Sequence, residues 1–291
     1  MATIAVPNQV SIAADAEALY KACKGWGTDE KAIIQVLGRR NAGQRRLIRF
    51  AYQELYKEDL VRRLEKELTE GSVSLDIGSG RSRCSVSPFG AKEIDRPIPG
   101  AGRNLLHQIL RGALVYKKGL SRSLLIRLVS AIRYEGEEIN KTLAKSEAKV
   151  LHEAIKDKKL NNDEVIRILT TRSKLQLQLI FNVYREEQGT SITKNLPNKS
   201  KDEFLATLRI TVRCLKDPKK YFEKVLRDSM QRLGTDEDAL TRVIVTRAEK
   251  DLKEIKELYY KRNNVRLDEA VDKDTRGDYK DMLLTLLGNE V

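Results

Sequence analysis

The sequence predicts an all-α protein assembled from repeated bundles of short helices. Apolar residues recur at helical spacing along most of the chain, strand-like alternation is nearly absent, and one pattern of residues returns at fixed distances. With 291 residues the chain also exceeds a single ordinary hydrophobic core, so several units are expected.

The first helical run, Ala13 to Cys23, leads through Lys24-Gly25-Trp26-Gly27-Thr28-Asp29-Glu30 into a second, Glu30 to Leu37. Two glycines around a tryptophan mark this stretch as a loop. Glycine reaches backbone angles closed to other residues, which lets successive carbonyls turn toward one point. Thr28 suits the cap of the following helix, and Asp29 and Glu30 suit its first turn. Ile33, Ile34 and Leu37, then Leu47, Ile48, Ala51, Tyr52 and Leu55, then Leu60, Val61 and Leu64 supply the apolar stripes of the next helices.

Gly27-Thr28-Asp29-Glu30 returns 207 residues later as Gly234-Thr235-Asp236-Glu237. At the same offset Arg40, Ile48, Tyr52, Leu60 and Leu64 become Arg247, Ile255, Tyr259, Leu267 and Val271. A third copy, 132 residues after the first, carries Arg172, Ile180, Tyr184, Ile192 and Leu196. One unit therefore spans about 70–75 residues with several short helices. The predicted units are 10–72, 73–132, 141–211 and 217–287. The second is too short by about 20 residues for the repeat spacing. From Gly71 to Leu120 it is rich in Ser, Gly, Arg and Pro and lacks the ladder, apart from an expected helix over Asn104 to Tyr116.

Converging carbonyls make half a calcium site. Ca²⁺ is a hard ion that takes about 6–8 oxygens, some of them charged, so a carboxylate must complete it. Glu67 maps at the repeat offset of 207 onto Asp274, after the third helix of each outer unit. In the middle copy the same register is Lys199, and the loop glycine and threonine become Lys159 and Leu160. Loop and acid are thus kept together twice and lost together once, which an acid kept only for solubility would not do.

The charge balance of 55 Lys+Arg against 42 Asp+Glu, net +13, points to an anionic partner, either a phosphate-bearing membrane or a nucleic acid. No apolar run approaches the roughly 18–20 residues of a membrane span. The first 20 residues hold no Lys or Arg to start a secretory signal, so a cytoplasmic protein is expected. Cys23, Cys84 and Cys214 fit a reducing compartment better than a disulfide frame, and His107 and His152 offer no zinc or catalytic pairing.

The glycine-x-glycine-threonine loop with its distant acid, in units of about 70 residues, resembles the annexins. The flanking Gly25-Trp26-Gly27-Thr28-Asp29-Glu30, Thr246-Arg247-Ala248-Glu249 and Gly277-Asp278-Tyr279 resemble their plant branch. The resemblance implies a curved disc of four five-helix repeats, the second incomplete, with calcium loops that bridge protein to acidic phospholipid. Carried over by position, the first site would use the backbone carbonyls of Cys23, Gly25 and Gly27 with Glu67. The last would use Met230, Arg232 and Gly234 with Asp274, and Arg232 in place of a glycine implies a weaker site. The third unit should bind no calcium in this way. Ser121 to Glu138 reads as a last helix and connector of the second unit, whose shortening should lower stability relative to a full-length relative. Lys24 and Arg232 would attract anionic lipid, and Trp26 suits the headgroup boundary.

Other activities linked to the family find less support in these residues. The histidine of the peroxidase-associated Gly-His-Arg-Asn is Arg39 in Gly38-Arg39-Arg40-Asn41, and arginine cannot ligate haem iron. Asp274-Thr275-Arg276-Gly277 matches a GTP-linked Asp-x-x-Gly, but no phosphate-cradling Gly-rich loop accompanies it. Ile166-Arg167-Ile168 resembles an actin-binding tripeptide, an order also common on core helices, so actin is a minor expectation. Channel activity has no membrane-spanning segment to rest on. The expected function is calcium-dependent, peripheral binding of acidic phospholipid without enzymatic turnover, by a monomer or weak oligomer that is cytoplasmic until calcium rises. The alternative is calcium-independent binding of nucleic acid or another polyanion through runs such as Arg45-Arg46 and Lys156-Asp157-Lys158-Lys159, although no specific nucleic-acid motif is present.

Overall fold

The computed structural model describes residues 1–7, 9–24, 27–70, 124, 127–128, 133–196, 202–231 and 234–289, with the side chains of 68–70 set aside. These residues form fourteen α-helices and no strand, as the spacing predicts. The expected helix over 104–116, most of the shortened second unit, and Gly25, Trp26, Lys199 and Arg232 lie outside the described residues. The chain divides into two compact units, Met1–Pro97 with Phe222–Val291, and Ile98–Tyr221.

In the first unit the opening repeat is α1 (Ile12–Ala22), α2 (Glu30–Leu37), α3 (Ala42–Tyr56) and α4 (Leu60–Glu70). Short polar side chains start these helices by accepting orphan backbone N–H bonds: Ser11 from Ala14, Asp29 from Ala32, and Asn41 from Gln44 in a reciprocal capping box. Lys57, in the left-handed conformation, stops α3. The cap of α2 is Asp29 and not Thr28, whose hydroxyl is drawn elsewhere. Ala16, Leu19, Ile33, Val36, Leu37, Ile48, Tyr52, Leu60 and Leu64 form the core. Leu47 and Leu55, expected on the buried stripe of α3, are 55% and 56% exposed, because the face of Arg45, Ile48 and Tyr52 is the one turned inward, with Ala51 and Tyr56 at its margin.

The closing repeat of this unit comprises α10 (Pro218–Met230, from Phe222), α11 (Glu237–Arg247), α12 (Leu252–Asn263), α13 (Leu267–Asp274) and α14 (Gly277–Leu286). It meets the opening repeat where α2 touches α14. A Cβ on Gly38 would lie 2.7 Å from both the Ile34 carbonyl and Thr285 Cγ2, so only glycine fits there. The buried Arg45 guanidinium fixes the same junction, donating to the carbonyls of Leu37 and Arg40 at 3.1 and 2.7 Å and to Glu249 at 2.5 Å.

The second unit contains α5 (Lys141–Lys156), α6 (Asp163–Thr171), α7 (Lys174–Gln188), α8 (Ile192–Asn195) and α9 (Glu203–Lys216) around Ile168, Leu177, Ile180, Phe181 and Tyr184. Residues 133–138 of the expected connector are not helical, and Arg133 ties them to this repeat by donating to the Arg172 and Leu169 carbonyls.

Every apolar rung of the three ladders is 5% exposed or less. The arginine rung has a role that its conservation of register did not reveal. Arg40 makes a two-pronged ion pair with Asp15 at 2.7 and 2.8 Å, and Arg172 pairs with Glu147 at 2.6 Å, so in each case the acid precedes the arginine by 25 residues. In the closing repeat the corresponding position is Phe222. There Arg247 stacks over the Phe222 ring at 4.8 Å and pairs with Asp251 at 2.6 Å instead.

Candidate functional site

The loop after α1 is closed by the Asp29 N–H donating to the Ala22 carbonyl at 2.9 Å. The loop after α10 is closed in the same way, Asp236 to Ser229, also at 2.9 Å. Gly27 and Gly234 sit at φ +87° and +85° with open space where a Cβ would be, so backbone conformation rather than crowding demands glycine. The described residues of the two outer loops therefore share one closure and one glycine conformation.

Each loop also meets its distant acid. The Thr28 hydroxyl donates to Glu67 Oε2 at 3.4 Å, and the Thr235 hydroxyl donates to Asp274 Oδ2 at 2.6 Å and to the Asp274 carbonyl at 3.0 Å. Glu67 and Asp274 thus lie beside the hairpins with which the sequence paired them. The threonine that links them was expected as a helix cap. That second task needs the fold to be seen, since threonine and acid are 39 residues apart.

The third loop is built differently. Its closure runs from the Lys159 N–H to the Ala154 carbonyl at 2.9 Å, Lys158 takes the left-handed conformation at φ +57°, and Leu160 is 4% exposed within the core. A leucine driven inward replaces the hydroxyl that reaches toward an acid in the outer loops.

Of the expected ligands, Cys23, Gly27 and Glu67 at the first site, and Met230, Gly234 and Asp274 at the last, belong to the described residues. Gly25 and Arg232 do not, nor does Trp26. Lys24, expected to face lipid, is exposed and has its ammonium 5.4 Å from the Tyr20 ring centroid. At the first site Arg63 Nη2 donates to the Cys23 carbonyl and pairs with Glu67 Oε1 at 2.9 Å. A charged nitrogen already bridges a backbone oxygen and the distant carboxylate, so the donor set fits a hard cation. Among the described residues no three His, Cys, Asp or Glu side chains cluster. A cation site here would therefore draw largely on backbone oxygen. Ile166 and Ile168 of the tripeptide are core residues, and Arg167 between them pairs with Glu164 at 2.8 Å and Glu147 at 3.2 Å.

The Annexin family model matches residues 14–72, 146–208 and 221–286, segments that contain both loop-and-acid pairs. The chain belongs to the annexin family. An annexin-like protein, RJ4, from Fragaria ananassa is 49% identical over 316 aligned positions that cover all of both chains. Since this chain has 291 residues, about 25 of those positions have no counterpart in it. The structure of chicken annexin V in complex with Zn²⁺ superposes with a TM-score of 0.78 at 29% identity, covering 99% of each chain. A calcium-bound annexin (Sm)1 superposes with a TM-score of 0.70 at 26% identity, covering 99% of this chain and 93% of that one. Annexins are known for calcium-dependent phospholipid binding, and the plant relative fits the plant-type text of the loops.

Proposed function

We propose that this annexin attaches to acidic phospholipid membranes when calcium rises, through the loop-and-acid pairs of its first and last repeats. The observation that supports this reading most is the duplicated contact between a loop threonine and a distant acid, Thr28 with Glu67 and Thr235 with Asp274. The carbonyls of Cys23, Gly25 and Gly27 with Glu67, and of Met230, Arg232 and Gly234 with Asp274, would hold Ca²⁺. When bound, the ion supplies a divalent charge with coordination positions that lipid phosphate oxygens can fill. Thr28 and Thr235 orient the carboxylates, as groups one shell out from a metal commonly do. Lys24 and Arg232 add attraction to anionic headgroups of about 1 kcal/mol each, and Trp26 places its indole at the headgroup boundary.

No enzymatic turnover belongs to this reading, and no helix among the described residues is long and apolar enough to cross a membrane. The proposed attachment is peripheral, from a cytoplasmic pool. The test is co-sedimentation with phosphatidylserine-containing vesicles in calcium and in chelator, repeated at rising salt. Binding that requires calcium and survives moderate salt supports the proposal. Binding that ignores calcium and collapses steeply with salt would favour polyanion binding through the net positive charge.

A further inference from the structure

The first and last loops match in closure and glycine geometry, yet they differ in what stands between loop and acid. On α4, one turn before Glu67, Arg63 directs a single nitrogen, Nη2, at both the Cys23 carbonyl and Glu67 Oε1. The corresponding residue one turn before Asp274 is Ala270, whose methyl group can do neither. We propose that Arg63 is a built-in competitor for the first calcium site, a resident cation that calcium must displace before that loop can bridge to lipid. The inference rests on the calcium reading above and deepens it by assigning the two sites different thresholds.

Two oxygens that face the guanidinium cannot at the same time face a metal, so the two occupancies exclude each other. The Arg63 and Glu67 side chains are 27% and 15% exposed, which shields the contact more than an ordinary surface pair one helical turn apart. Arg63 also gains a backbone carbonyl, so its bridge is charge-assisted at both ends. Apparent calcium affinity falls by the fraction of molecules in which the site is clear, and a bridge of this kind corresponds to about a tenfold loss. Glu67 meanwhile keeps Thr28 on its other oxygen, so the carboxylate stays oriented for exchange of one cation for the other. The loop around Asp274, with no such occupant on α13, fills at lower calcium for this term alone.

The experiment reads the first site in the full chain with the last one silenced by Asp274→Asn. Calcium alone is titrated calorimetrically, and the half-maximal calcium for phosphatidylserine vesicle co-sedimentation is measured for the background and for added Arg63→Ala, Arg63→Gln and Glu67→Gln. Both Arg63 variants should lower the half-point by about tenfold, from lost competition. Each should also melt at a lower temperature than the background in chelator and at an equal temperature in saturating calcium, because the bridge exists only without the metal. If Glu67→Gln abolishes the response but neither Arg63 variant lowers the half-point, the competition is overturned and the calcium reading stands. If Glu67→Gln also changes nothing, the calcium reading falls and the competition with it.

Discussion

Asp15 and Arg40 clamp together α1 and the end of α2, the two helices that carry the first loop between them, so the substitution Asp15→Ala probes how that loop is supported. The pair is two-pronged at 2.7 and 2.8 Å, with side chains only 10% and 11% exposed. Removing the acid leaves the guanidinium nearly buried with the Arg39 carbonyl at 3.2 Å as a neutral partner. Breaking one side of a buried pair costs about 3–5 kcal/mol, and residual exposure places this case near about 3 kcal/mol. For a cooperative unit of this size each kcal/mol moves Tm by about 2–4 °C, so Asp15→Ala should melt about 6–12 °C lower. Far-UV circular dichroism on heating reads it. Glu17→Ala is the control, since its partner Lys21 is 72% exposed and Glu17 itself 54% exposed. The joint replacement Asp15→Leu with Arg40→Met should recover much of the loss, because it removes the stranded charge. A melt for Asp15→Ala indistinguishable from that of Glu17→Ala would refute the clamp.

Other outcomes follow from the same geometry. Thr235→Val should weaken calcium binding at the last loop by about 10–100-fold, the usual cost of removing a group that orients a metal ligand. Thr28→Val should do less at the first loop, because its contact with Glu67 is 3.4 Å against 2.6 Å for Thr235 with Asp274; calorimetric titration of calcium into each variant compares them. Burial, followed by the nearby Glu67 carboxylate, pushes the Cys23 thiol up to about 11, and burial pushes Cys214 upward as well. The thiolate is the reactive form, so native protein at neutral or mildly alkaline pH should leave both cysteines unmodified by iodoacetamide, with labelling appearing only in denaturant. Loss of buried contacts through the shortened second unit should make the chain melt below the Fragaria relative, and an equal or higher Tm in a parallel melt would refute that.

Much of the architecture was legible because three copies of one pattern constrain each other. Tyr52 and Leu64 and their counterparts name core positions whether or not any one helix is strongly amphipathic. The acid opposite two of the three ladder arginines is also legible, since Asp15 precedes Arg40 and Glu147 precedes Arg172 by the same interval, while Phe222 stands there before Arg247. Each acid sits on the helix before the one its arginine follows, α1 or α5, so no local pattern brings the two together. Thr28 and Asp29 are both good caps, and only the approach of Glu67 decides which of them turns away from the helix. Arg63 resembles one more residue of a solvated basic face beside Arg62. Its role depends on the Cys23 carbonyl, 40 residues earlier in the chain, which no local pattern brings near.

In the proposed mechanism a hairpin and an acid about 40 residues further along act as one metal site that lipid completes. Vesicle co-sedimentation across calcium concentrations with Glu67→Gln and Asp274→Asn combined in one chain tests it most directly. The doubly substituted protein should keep its helical circular dichroism and lose calcium-dependent sedimentation, while each single variant keeps part of it. Undiminished calcium dependence in the folded double variant would mean that neither acid holds the metal.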